Sequence, residues 1–149
     1  MGCRISVVTV CYNAVDCIED TMLSVLGQTY PDIEYIIIDG GSTDGTVDII
    51  KKYADRLAYW ISEPDKGIYD AMNKGIAVST GDYINFMNAG DLFVSSQTVE
   101  SVFADKPDAD VLYGNALVKD KYGSLKHESA SNDVSLLENT PIFRHGASF

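Results

Sequence analysis

Short β-branched apolar runs alternate along this chain with stretches whose apolar residues recur every three or four positions. Ile5 to Val10 is the first such run, and its unbroken apolarity is the pattern of a strand buried on both faces. From Asp16, a candidate helix cap, Ile18, Met22, Val25 and Leu26 take helical spacing, and Gln28-Thr-Tyr-Pro31 closes the stretch. Tyr35 to Ile38 predicts a second strand, followed by Asp39-Gly-Gly-Ser-Thr-Asp-Gly-Thr46 and a helix through Val47 and Ile50, with Thr46 or Ser42 as possible caps. Leu57 to Ile61 reads as a third strand, Ser62 to Gly67 as a loop and Ile68 to Val78 as a third helix. Asp82 to Met87 predicts a fourth strand, Gln97 to Ala104 a helix, Val111 to Val118 a strand, and Lys119 to Lys126, with Gly123, a hairpin turn.

Such alternation implies βαβ units, hence an α/β fold with a mainly parallel, Rossmann-like sheet flanked by helices. Ligands of these sheets bind in the crevice beyond the carboxyl ends of the strands. In this chain those ends carry Tyr12-Asn13, Asp39, Glu63 to Lys66 and Asn88 to Asp91, so the polar residues collect on one edge. The 149 residues form one expected domain, 1–149, with no internal repeat or linker.

Charge narrows the partners. A net charge of −11 and a pI near 4.3 argue against nucleic acid. An acidic protein that binds a diphosphate generally needs a cation to bridge the two, which makes a divalent metal a reasonable expectation. Cys3, Cys11 and Cys17 fit neither a disulfide framework nor a zinc site, and are expected to be reduced thiols in a cytosolic protein. No apolar run approaches the roughly 20 residues of a membrane span.

The segment from Asp39 to Thr46 invites several readings. Read as a calcium loop it would place Gly41 and Ile50 where ligands belong; it has no Walker lysine and no dinucleotide fingerprint. Two readings stay open: a strand-to-helix turn in which Asp39 and Ser42 bond their own backbone, or a carboxylate placed to accept a nucleobase imide proton. Asp91 ends Asn88-Ala-Gly-Asp91 and is either a turn residue or, beside a diphosphate, a metal ligand. Asp65 reads as a helix cap, Lys66 as solvated charge, and Asn73 and Lys74 as an exposed face; that account leaves their clustering at the same sheet edge unexplained. Nothing in the spacing makes His127 or His145 a metal ligand.

Taken in order, Ile5-Ser-Val-Val-Thr-Val-Cys-Tyr-Asn13, Thr21 to Tyr30, Ile38 to Thr46, Trp60 to Gly75 and Thr80 to Asp91 resemble family 2 glycosyltransferases, and within them the branch of bacterial polysaccharide and colanic-acid-type clusters. The resemblance implies a GT-A fold, a nucleotide-diphospho-sugar donor, often UDP-linked, and Mg²⁺ or Mn²⁺. It implies that Thr9 and Tyr12 line the base pocket with Asn13 beside them, that Asp39 accepts the uracil imide hydrogen, and that Asp65 and Lys66 lie near the nucleotide, with Asn73 also on the substrate side. The family's metal motif falls on Asn88 to Asp91, making Asp91 the metal ligand and Asn88 a substrate contact, although many members carry aspartates where this chain has Asn88 and Gly90. His145 resembles a histidine on the acceptor side. The family's carboxylate base is expected beyond Phe149, so the chain reads as truncated before it. The implied function is inverting transfer to a glycan or lipid-linked acceptor in polysaccharide biosynthesis, in the cytoplasm or peripheral to the inner membrane face. A non-catalytic nucleotide-sugar-binding or scaffolding module is the alternative that Asn88 and Gly90 motivate. A nucleotidyltransferase would normally show a glycine-rich loop with Arg or Lys after the first strand, which Cys11 to Val15 does not.

Overall fold

The computed structural model describes residues 2–106, 108–112 and 115–128. Four parallel strands form the main sheet in the order β3-β2-β1-β4: β1 Ile5–Cys11, β2 Ile33–Asp39, β3 Tyr59–Ser62 and β4 Tyr83–Phe86. Helix α1 (Ile18–Leu26) joins β1 to β2, α2 (Thr46–Lys52) and a 3₁₀ turn (Ala54–Arg56) join β2 to β3, and α3 (Ile68–Val78) carries the chain across to β4. After β4 come α4 (Thr98–Phe103) and an antiparallel hairpin of β5 (Ala116–Lys119) and β6 (Leu125–Glu128).

β1 is central and all seven of its residues are buried, as an apolar run packed on both faces requires. On one face Ile5, Val7 and Cys11 meet Ile18, Met22 and Val25 of α1, Ile50 of α2, and Val99 and Phe103 of α4. On the other, Val8, Val10, Ile36 and Ile38 pack with Ala71 and Met72 of α3. The register pairs Cys11 with Asp39 and Asp39 with Ser62, so three strands end level at the same edge.

The helix starts differ from the expected caps. Cys17 precedes α1 without a side-chain cap, so Asp16 does not serve as one. Gly45 precedes α2 and Gly67 precedes α3, neither helix having a side-chain cap. Asp44 instead accepts the Thr46 backbone N–H at 3.0 Å, and Asp65 that of Gly67 at 2.9 Å. These carboxylates hold turns just before the helices. The third strand starts two residues later than expected because the 3₁₀ turn takes up the chain before it. The expected strand 111–118 is described as Ala116–Lys119, and its pairing with β6 bears out the hairpin. All three cysteines are free.

Gly75 lies where α3 crosses β1. A Cβ there would meet Val8 Cγ1 at 2.4 Å and Val8 Cβ at 3.4 Å. Gly→Ala inside a helix normally stabilises by about 1 kcal/mol, but overpacking against a buried strand side chain costs more. Gly75→Ala is therefore expected to destabilise the fold by about 1–3 kcal/mol, read from urea unfolding. An unchanged or raised midpoint would show that α3 shifts freely on the sheet.

Candidate functional site

The carboxyl edge of the sheet is built around Asp39, which is completely buried. Its Oδ2 accepts the backbone N–H groups of Gly41 (3.1 Å) and Ser42 (2.9 Å) and the Ser62 hydroxyl (2.6 Å). Its Oδ1 accepts the Ser42 hydroxyl (2.5 Å) and the Cys11 thiol (3.4 Å). Burial by itself would raise the Asp39 pKa, yet the donors from Ser42, Ser62 and Cys11 outweigh it and hold the carboxyl below its usual range. The same geometry pushes the Cys11 thiol well up, through burial first and the neighbouring Asp39 charge second.

Two loops are joined across this edge. Asn13 donates its N–H to Ser42 Oγ (2.7 Å) and accepts the Thr43 N–H on Oδ1 (2.9 Å). Ala14 N–H reaches Thr46 Oγ1 at 2.8 Å, and Val15 N–H reaches Asp44 Oδ2 at 3.1 Å. Asn13 has a φ of 46°, in the left-handed region that Asn tolerates better than most residues. The chain turns sharply there and leaves Tyr12 67% exposed at the end of β1.

A third loop packs against the glycines that follow Asp39. A Cβ on Gly40 would meet Asp65 Oδ2 at 2.7 Å, so only glycine lets the Asp65 carboxylate lie on that backbone. Asp70 Oδ2 accepts the Lys66 N–H at 3.0 Å. Lys74 Nζ lies 2.9 Å from Glu63 and 3.9 Å from Asp70, and its hydrogen bond to Glu63 raises its pKa. At the end of β4, Gly90 (φ 98°) donates its N–H to Thr21 Oγ1 at 2.9 Å, and the Asp91 N–H closes a turn on the Asn88 carbonyl at 2.9 Å. The Asn88 side-chain Oδ1 is buried and has no hydrogen-bond partner among the described residues. Asp91 is exposed.

The structure thus brings Tyr12, Asn13, Asp39, Asp65, Asn88 and Asp91 to one edge, with Lys66 exposed on the third loop. Thr9 is not at the open edge: it is fully buried and its hydroxyl pairs with that of Tyr35 at 2.9 Å. Asn73 is exposed midway along α3, roughly 7 Å of helical rise below its first residue. His145 lies outside the described residues. Ser62, Asp44 and Lys74 escaped the sequence reading as site residues. Asp44 and Thr46 had a local signal, an Asp two residues before a Thr at a helix start. Ser62 had none, because only strand register puts it beside Asp39.

A carboxylate whose folded pKa lies below its unfolded value contributes stability that is complete above the unfolded value and is lost as pH falls toward the folded one. Asp39→Asn should therefore melt below wild type at pH 7, with the gap closing once pH falls below about 4. Thermal melts across pH 2.5–7 would check this; a gap independent of pH would mean that shape rather than charge holds the turn.

The model of glycosyl transferase family 2 matches residues 6–144. An uncharacterized glycosyltransferase of Mycobacterium tuberculosis is 43% identical over 108 residues, covering 69% of this chain and 41% of the relative. The putative teichuronic acid biosynthesis glycosyltransferase TuaG of Bacillus subtilis is 42% identical over 90 residues, 58% of this chain and 36% of the relative. The chain spans about two fifths of the length of the curated relatives it matches. Among solved structures, S. aureus TarS 1-349 in complex with UDP-GlcNAc aligns with a TM-score of 0.65 and 25% identity, over 74% of this chain and 33% of that one. The mannosyltransferase PcManGT from Pyrobaculum calidifontis, in complex with GDP-Man and Mn²⁺, aligns with a TM-score of 0.67 over 97% of this chain and 48% of that one; at 22% identity it is a likeness of fold. A parallel α/β sheet with its polar residues at the carboxyl edge, matched along almost its whole length by one family, places this chain in glycosyl transferase family 2, with the GT-A fold.

Proposed function

We propose that this chain is the donor-binding part of an inverting glycosyltransferase that takes a sugar from a nucleotide-diphospho-sugar, with UDP as the nucleotide, and passes it to a glycan or lipid-linked acceptor in polysaccharide biosynthesis. The observation that carries this reading is the convergence of Tyr12, Asp39, Asn88 and Asp91 on the carboxyl edge of one parallel sheet, where such folds bind ligands. The UDP-GlcNAc bound by TarS supports the choice of nucleotide, and the teichuronic acid biosynthesis for which the Bacillus relative is named supports the choice of acceptor class. Among the described residues no helix is long and apolar enough to cross a membrane. A cytoplasmic enzyme, peripheral to the inner membrane face where lipid-linked acceptors lie, agrees with that.

Tyr12 offers an exposed ring on which a base can stack, and Asp39 a charged acceptor for an imide N–H. Asn88 offers a buried carbonyl oxygen with unused capacity, suited to a sugar or ribose hydroxyl. Among the described residues no three His, Cys, Asp or Glu side chains form a metal cluster. The donor set still fits Mg²⁺ or Mn²⁺, because such ions are commonly held by one or two carboxylates, here Asp91, with the remaining positions taken by phosphate oxygens and water. A bound cation would supply charge stabilisation on the departing diphosphate. The same single carboxylate also keeps a second reading in play, a binding module without catalytic activity.

Calorimetric titration of UDP with and without Mn²⁺ tests the proposal. Asp39→Asn is expected to weaken UDP binding by at least tenfold, the loss of a charge-assisted hydrogen bond. Asp91→Ala is expected to abolish the gain from Mn²⁺ while leaving metal-free binding near wild type, and EDTA should reproduce that effect on the wild-type chain. Absence of UDP binding by the folded chain would overturn the donor assignment, and a metal gain that survives in Asp91→Ala would overturn the ligand assignment. Turnover of a UDP-sugar by a full-length relative-sized chain would exclude the binding-module reading.

A further inference from the structure

The Asp39 carboxylate already holds more donors than it has room for. An ionised carboxylate offers about four lone-pair positions, two on each oxygen. Oδ2 alone receives three donors, from Gly41, Ser42 and Ser62, and Oδ1 receives two more. The side chain is also fully shielded from water. A nucleobase N–H can reach it only if one of these donors withdraws.

The donors differ in how freely they can leave. The two backbone N–H groups belong to the turn at residues 40–42 and cannot rotate away independently. The Cys11 thiol is buried and faces the carbonyl of Ile38 at 3.9 Å as well as Asp39. The Ser42 hydroxyl is fixed from behind by the Asn13 N–H at 2.7 Å. Ser62 alone combines a rotatable hydroxyl, a partly exposed position at the mouth of the edge, and no hydrogen bond from its Oγ other than the one to Asp39 among the described residues.

We propose that Ser62 is a specificity-determining residue: its hydroxyl leaves Asp39 when a nucleobase arrives and donates instead to the carbonyl oxygen that flanks the incoming imide N–H. The inference rests on Asp39 being the base acceptor. Asp39 and Ser62 stand opposite each other in the β2–β3 register, which puts an acceptor and a donor side by side. That pair matches the N–H and C=O neighbours on a uracil or thymine edge. It mismatches cytosine, which presents an acceptor where Asp39 needs a donor. One side chain therefore shields the carboxylate in the free protein and reads the base in the complex: the hydroxyl keeps its proton and turns its one hydrogen bond from Asp39 to the base carbonyl.

Sulfur accepts hydrogen bonds more weakly than oxygen, so thio-substituted bases report on this contact. The experiment is titration of UDP, 2-thio-UDP and 4-thio-UDP into the wild-type chain, Ser62→Ala, Ser62→Thr and Asp39→Asn. Wild type should bind one thio analogue about three- to tenfold more weakly than UDP, the scale of one neutral hydrogen bond. Ser62→Ala should bind that analogue and UDP equally well, and Ser62→Thr should restore the preference. Equal binding of all three ligands by wild type would overturn the inference without recourse to any variant. A wild-type preference that persists in Ser62→Ala, while Asp39→Asn loses binding, would overturn it and leave the donor site standing. Wild-type affinity in Asp39→Asn would remove the base acceptor, and the role of Ser62 with it.

Discussion

A carboxylate removed from water has to be supplied with hydrogen bonds by the chain around it. Asp39 receives them from the ends of β1 and β3 and from the turn that follows β2. Leaving such a group buried and unpaired would cost several kcal/mol, so the three connections are tied to one another through it. Cys11, Asp39 and Ser62 are far apart in sequence and become neighbours because parallel register ends their strands level, while Ser42 is brought in by the turn that follows β2. The arrangement at this edge follows from that one demand.

The Asn13 turn extends the same logic outward. Ser42 donates to Asp39 and accepts from Asn13, so the residue that fixes the carboxylate also fixes the turn that turns Tyr12 toward solvent. Asp44 and Thr46 hold the next two backbone N–H groups of that turn. At the opposite end of the sheet the polar groups satisfy each other instead: Glu34 accepts from Ser6 and Thr80, and Arg4 pairs with Asp32. One end of the sheet closes on itself, while the other presents an exposed ring and an exposed carboxylate, with the Asn88 carbonyl oxygen buried there and unpartnered among the described residues.

Charge decides what such an edge can hold. Lys74 stands among Glu63, Asp65 and Asp70 and is engaged by Glu63, so its charge is largely spent within the loop that carries it. The surroundings are acidic, in keeping with a net charge of −11. A diphosphate near these carboxylates is unfavourable unless a cation lies between them. On the proposed reading, a diphosphate would therefore enter this edge together with a divalent cation, with the exposed Asp91 carboxylate to meet it.

Periodicity in the sequence determined the strands, the main helices, the parallel sheet and the edge on which the polar residues gather, because apolar spacing is dictated by burial and burial repeats with the element. The ordered motifs from Ile5 to Asp91 determined the family for a similar reason: they are local strings, and short strings survive in one dimension. Local chemistry was less decisive at helix starts, where Asp16 and Asp65 had the right side chain but the chain entered through Cys17 and Gly67. The resemblance put Thr9 on the base pocket, whereas its side chain is fully buried in β1 with its hydroxyl paired to that of Tyr35 on the neighbouring strand. Asp39 could be read from sequence as a turn residue or a base acceptor, and the structure shows the turn bonds in full. Only tertiary structure placed Ser62 beside it, packed Asp65 onto Gly40 and engaged Lys74 with Glu63. Those contacts depend on strand register and loop packing, which arise between segments and leave no periodic trace within any one of them.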